Sequence, residues 1–160
     1  MEILDLYDDN GNKLNKKVER GKKYNEGNIR LSVVFIKNKK NEYLIQKTSI
    51  AKGGDYSTTG GHVISGESAI ECIIRELEEE LGVIVKESDL EFISLEKHPS
   101  APCLFNVYEL DKDIGIDSLK LQDEEVEKVE WLTTEEILKL IDNNKFKESH
   151  GHLFKKYIIQ

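Results

Sequence analysis

Residues 61–83 read GHVISGESAIECIIRELEEELGV, and how this stretch folds decides how the chain is read. A helical pattern runs from about Ser68 to Leu81, and Gly82 is placed to stop it as a C-terminal cap. At about 100° per residue, Ile70, Ile73, Ile74, Leu77 and Leu81 gather on one stripe that must face a core. About a quarter of the circumference away, Glu76, Glu79 and Glu80 share another face, because they are spaced i, i+3 and i+4. Such carboxylates repel one another by a few tenths of a kcal/mol per pair on an exposed helix, and a cation reverses the sign. Taken alone, a run of glutamates is usually only a solvated face, since Glu is a good helix former.

The wider spacing separates these alternatives. Gly61, five residues, Glu67, seven residues, then Arg75-Glu76-Leu77-Glu78-Glu79-Glu80-Leu81-Gly82-Val83 resembles the Nudix box at every defined position. The resemblance implies an α/β/α sandwich with a mixed β-sheet, and hydrolysis of a diphosphate linkage with Mg2+, or Mn2+ as the alternative ion. It further implies that Glu79 and Glu80 are metal ligands, that Glu76 ligates or helps activate water, and that the Gly61 carbonyl completes the shell. Magnesium takes oxygen ligands from a few carboxylates, waters and substrate phosphates. Bound metal would neutralise phosphate oxygens and acidify a water that attacks phosphorus. Arg75 can orient Glu79 at i+4, and Glu67 at the helix start can reach Arg75, so both are organising residues. Family members often recruit an acidic residue outside the box. Glu124 and Glu125, just before the strand ending at Leu132, are candidates for general base or extra ligand, Glu125 being preferred over its neighbour.

Thr58-Thr59-Gly60-Gly61-His62-Val63 and Asp5-Leu6-Tyr7-Asp8 resemble a Nudix branch related to isopentenyl-diphosphate isomerase. That isomerase has a cysteine just before its Gly-His pair, where this chain has Thr59 and Gly60. Three readings follow: a hydrolase acting on a nucleoside diphosphate derivative, an isoprenoid diphosphate isomerase, and a non-catalytic nucleotide sensor. The intact box favours the first.

The remaining sequence fits one domain over residues 1–160, with 38% hydrophobic and 34% charged residues and no long apolar run. The N-terminus lacks the basic start and apolar stretch of a signal peptide, so a cytoplasmic location is expected. A net charge of -8 argues against nucleic-acid polymers and anionic membranes as partners, leaving a small-molecule diphosphate and a monomer or homodimer. Strands are expected at Glu2–Tyr7 and Lys13–Val18, forming an N-terminal β-hairpin, and at Ile29–Lys37 and Glu42–Lys47, forming a second. Thr48–Gly61 reads as loop, Glu91–Lys97, Cys103–Leu110 and Val126–Leu132 as strands, Thr133 or Thr134 caps a helix through Asp142, and Leu153–Ile159 reads as a last helix. Cys72 and Cys103 read as core residues. His62 is a candidate for touching metal or phosphate, while His98, His150 and His152 read as local or surface residues. Tyr56, Phe105 and Tyr108 read as packing aromatics. The group attached to the diphosphate would be chosen by Thr48–Ser57, His98–Pro102 and the C-terminal segment.

Overall fold

A computed structural model describes residues 1–159. Strands β1 (Ile3–Tyr7) and β2 (Lys13–Glu19) form the N-terminal hairpin as a separate two-stranded sheet. The main sheet has seven strands: β3 (Ile29–Lys37), β4 (Tyr43–Thr48), β5 (Tyr56–Ser57), β6 (Thr59–His62), β7 (Leu90–Lys97), β8 (Cys103–Asp111) and β9 (Val126–Leu132). It is mixed, because β3 runs parallel to β8 along its whole length and antiparallel to β4 and β6.

The central strand explains the layering. Consecutive side chains of a strand point to opposite faces, and in β3 both sets are apolar and fully buried, Val34 and Ile36 on one side, Val33 and Phe35 on the other. The first face is covered by α1 (Ala69–Leu81) through Ile73, Leu77 and Leu81. The second is covered by α2 (Thr134–Asp142) and α3 (Glu148–Leu153), whose Ile137 and Leu153 pack with Phe154 against Tyr43, Ile45 and Val107. The expected α/β/α sandwich follows. No described helix is long and apolar enough to cross a membrane.

The ends of α1 are fixed by local chemistry. Ser68 Oγ accepts the Glu71 N–H and the Glu71 carboxylate accepts the Ser68 N–H, a capping box that satisfies donors the first turn cannot pair. Gly82 sits at φ 70°, and its N–H and that of Val83 close on the carbonyls of Glu78 and Leu77. Of the predicted core stripe, Ile73, Leu77 and Leu81 are fully buried, and Ile70 and Ile74 pack at its margin.

Three local expectations are corrected. Thr48–Gly61 is not all loop: β5 and most of β6 lie within it, because their backbones pair with β4 and β3 although Gly60 and Gly61 supply little strand propensity. The second hairpin is splayed, with β3 and β4 paired only at Lys37 and Tyr43, since β6 takes the other half of that edge of β3. The last helix begins at Glu148, five residues earlier than expected, and passes into a π-helical turn over Phe154–Ile158. Gly151 permits this, since a Cβ there would press on Ile141 of α2 at 3.2 Å.

Candidate active site

The site is assembled where β6 runs into α1. Gly61 pairs with Ser32 of β3, and Ser32 Oγ donates to the Ala69 carbonyl, tying the strand to the first turn of the helix. A Cβ on Gly61 would lie 2.2 Å from Glu76 Oε1, so the Glu76 carboxylate rests directly on a stretch of backbone that only glycine leaves bare. Gly60 is equally constrained, since its Cβ would come within 2.7 Å of the Ser32 carbonyl oxygen.

Arg75 links the loop to the helix. Its Nε and Nη2 donate to the two oxygens of Glu67 at 2.7 and 3.0 Å, a bidentate pair, and Nη2 also donates to the His62 carbonyl at 3.1 Å. Nη1 donates to Glu76 at 2.8 Å and to Glu79 at 3.2 Å. Arg75 therefore contacts two of the predicted carboxylates. Its hydrogen bonds to Glu67, aided by the charge of Glu76, hold it firmly protonated.

Glu80 is the most constrained member. It is 7% exposed, and Oε1 accepts from Gln46 Nε2 at 3.1 Å while Gln46 Oε1 accepts from Thr59 Oγ1 at 3.0 Å. Oε2 is buried with no hydrogen-bond donor among the described residues. Burial, then the neighbouring charge of Glu76, push the Glu80 carboxyl up to about 8, and burial also raises Glu76. With both ionised, the pair can be relieved only by a shared proton or by a cation. Glu79 is half-exposed and held by its 3.2 Å pair with Arg75.

Among the described residues no three His, Cys, Asp or Glu side chains converge as a ready-made cage, because Arg75 holds Glu76 and Glu79 toward itself. The donor set nevertheless suits a hard divalent ion, which takes few protein oxygens and fills its shell with water and phosphate. The fit rests on the orphaned Glu80 oxygen and on the bare backbone beneath Glu76.

Glu125 lies across from Glu80, near enough for its charge to act there, with its carboxylate 3.3 Å from Lys52 Nζ and its carbonyl accepting the Ser49 N–H. Sequence reasoning missed Gln46 and Thr59. The signal was present: Leu44 faces α1, and two residues on the same face falls to Gln46.

Other candidates separate cleanly. Cys72 is buried against the Gly61 and His62 carbonyls, and burial pushes its thiol up to about 12, so it is no nucleophile at neutral pH. His62 is held down to about 4 by burial and by the Arg20 charge. Phe105 and Tyr108 are buried, as packing residues are. His98 serves its loop, with Nδ1 accepting the N–H groups of Ser100 and Ala101. His150 and His152 are not both surface decoration. His152 is half-exposed and pairs with Glu96 at 2.6 Å, but His150 is 4% exposed, because α3 turns it inward where Nδ1 accepts the Thr58 N–H at 3.3 Å.

Residues 28–156 match the NUDIX domain family model. An uncharacterised Nudix hydrolase from Listeria innocua, lin0387, is 32% identical, the match covering 91% of this chain and 88% of the relative. The NAD-capped RNA hydrolase NudC of Pseudomonas aeruginosa is 29% identical over 64% of this chain, which covers 35% of the length of that relative. The crystal structure of DR0079 from Deinococcus radiodurans superposes with a TM-score of 0.84 at 23% identity, covering 98% of this chain and 99% of that one. The chain belongs to the Nudix family.

Proposed function

We propose that this protein hydrolyses the diphosphate linkage of a nucleoside diphosphate derivative, using magnesium, or manganese in its place, held by Glu76, Glu79, Glu80 and the Gly61 carbonyl. One observation carries the reading: the buried Glu80 carboxylate lies beside the half-buried Glu76, which rests on bare backbone, and one oxygen of Glu80 has no donor among the described residues. Buried charge of that kind is costly until a cation neutralises it. A bound divalent ion supplies charge neutralisation at phosphate oxygens and acidifies a water.

The chain's own residues do the positioning. Arg75, clamped by Glu67, fixes the line of Glu76 against Gly61, while Gln46 and Thr59 fix one oxygen of Glu80. Glu125, paired with Lys52, is the group we assign to take the proton of the attacking water or to complete the ligand set. Attack by water on phosphorus needs no covalent intermediate. We take residues 1–160 as one cytoplasmic hydrolase domain acting on small molecules, since a net charge of -8 suits no polyanion held by its backbone.

Kinship to the isomerase-related branch rests on Thr58–Val63 and Asp5–Asp8 alone. Isomerisation is disfavoured by Thr59, which stands near the isomerase's thiol position but is buried with its hydroxyl committed to Gln46. A non-catalytic sensor is disfavoured by the complete carboxylate set.

The test is product formation by mass spectrometry from a panel of nucleoside and isoprenoid diphosphates, with magnesium, with chelator, and with Glu80→Gln. Cleavage across the phosphorus–oxygen–phosphorus link is expected to collapse with chelator and to fall on the order of 10²- to 10⁴-fold in Glu80→Gln. Cleavage indifferent to both, or rearrangement of an isoprenoid diphosphate without phosphate release, overturns the reading.

A further inference from the structure

The main sheet is split beside the carboxylates. β4 meets β3 only at Tyr43 and Lys37, and further along the two strands part, β4 pairing with β5 and β9 while β6 takes the edge of β3. Gln46 lies on the β4 side of that gap, its backbone opposite Ser57 and Val129. Thr59 lies on the β6 side, opposite Val34. Their side chains close the gap: Thr59 Oγ1 donates to Gln46 Oε1 at 3.0 Å, and Gln46 Nε2 donates to Glu80 Oε1 at 3.1 Å. Both residues are buried, so bulk water does not stand in for either bond.

The order of donors is forced by chemistry. An ionised carboxylate only accepts, so Gln46 must turn its amide NH2 toward Glu80 and its carbonyl away. That carbonyl is buried and needs a donor of its own. Thr58 does not supply one, because its hydroxyl is committed to the Val34 carbonyl. Thr59 does, and its hydroxyl thereby fixes which end of the amide Glu80 meets. With the amide reversed, two acceptors would face each other at hydrogen-bond distance.

The consequence falls on the two oxygens of Glu80. Oε1 is spent on Gln46, and Oε2 is buried without a hydrogen-bond partner among the described residues. Glu80 therefore offers an ion one oxygen rather than two. Calcium takes about six to eight oxygens and accepts both oxygens of one carboxylate, whereas magnesium holds to a near-ideal octahedron. Manganese shares that octahedral preference. A carboxylate closing both oxygens on one ion makes a narrow bite, which suits calcium better than either.

We propose that Thr59 and Gln46 are positioning residues that hold Glu80 Oε1 away from the ion and reserve Oε2 for it, so that the site prefers magnesium or manganese to calcium. The assignment deepens the hydrolase reading and rests on its placing of the ion at Glu80.

Metal binding without substrate tests it, read from the electron paramagnetic resonance of free manganese and from displacement of bound manganese by calcium. Gln46→Met keeps the side-chain length and removes both hydrogen bonds, Thr59→Val removes only the hydroxyl, and Thr59→Ser restores it. Gln46→Met is expected to weaken manganese about 10- to 100-fold, the usual cost of losing a partner behind a metal ligand, and to shift the manganese-to-calcium affinity ratio toward calcium about tenfold or more. Thr59→Val should move both quantities the same way by less, and Thr59→Ser should stay within about twofold of the parent. Melting in chelator shows which variants fold, and the Thr59 pair decides alone if Gln46→Met does not. General loosening of the fold would weaken both ions in parallel and would not be rescued by serine. The assignment is overturned if the folded variants bind manganese as the parent does, if the two ions weaken in parallel, or if Thr59→Ser is as impaired as Thr59→Val. Manganese binding that is lost in Glu80→Gln but indifferent to positions 46 and 59 removes this assignment and leaves the hydrolase reading standing. A parent that binds neither ion removes both.

Discussion

Helices α1 and α3 cover opposite faces of one sheet and organise charge in opposite ways. On α1, Arg75 gathers Glu76, Glu79 and Glu67, which lie one, four and eight residues away. At α3 and the turn after it, His152 and Lys156 converge on Glu96 from 56 and 60 residues away, and His150 reaches Thr58 across 92. The first arrangement follows from helical period and spacing. The second follows from strand register, which no local spacing encodes. The first also leaves carboxylates in excess of donors, whereas the second matches a single carboxylate with three. Excess unpaired charge marks a site that needs a ligand, and matched charge marks a fastening.

The sharpest test of this contrast is Gly61→Ala. The new Cβ would fall 2.2 Å from the Glu76 carboxylate, the end of a flexible side chain, so Glu76 is expected to swing aside while the fold persists. Displacement of that order costs about 10²-fold in kcat, with the melting temperature nearly unchanged. Steady-state kinetics and calorimetry check both halves. A large loss of stability with little loss of rate would mean that the α1 carboxylates are fastenings too.

His150→Ala should do the reverse. It removes a buried ring and leaves the Thr58 N–H without its acceptor. The expected cost is about 2 kcal/mol, a fall in melting temperature of roughly 4–8 °C, with kcat kept within a few-fold. A hundredfold loss of rate would show that the two faces are coupled through Thr58 and Thr59, and the contrast would fail.

The same physics explains what was legible in the sequence. Both ends of α1, its buried stripe and its acidic face followed from residues within one turn of each other, and β3 and β9 were read to the residue from β-branched and apolar runs. β5 and β6 were not, because Gly60 and Gly61 owe their extended form to pairing with β3 rather than to their own preference. Gln46 escaped notice because its partner Glu80 lies 34 residues on, and His150 because it sits beside Gly151 in a segment that seemed to be loop. The carboxylates were visible and their second layer was not.

The smallest effect is the most discriminating, because the two regions should titrate with opposite slopes. Burial raises Glu80 from its ordinary 4.5 to about 8, so between those values the unfolded chain releases a proton that the ion-free native state retains. Stability therefore falls as pH rises through that window and levels off above it. At Glu96 burial opposes ionisation, but the hydrogen bonds from Lys156, Tyr157 and His152 outweigh it and lower its pKa, so its contribution is present above 4.5 and lost as pH falls. In chelator, Glu80→Gln is expected to melt about 3 °C or more above the parent at pH 8, the gap closing toward pH 5. Glu96→Gln should melt below the parent at pH 8, with its gap closing only in acid. Magnesium should reverse the Glu80→Gln ordering at pH 8, because binding to the native state stabilises only the chain that keeps the carboxylate. Should Glu80→Gln be no more stable than the parent at pH 8 in chelator, the buried pair is already satisfied within the protein, and the charge excess on α1 is not what draws the ion.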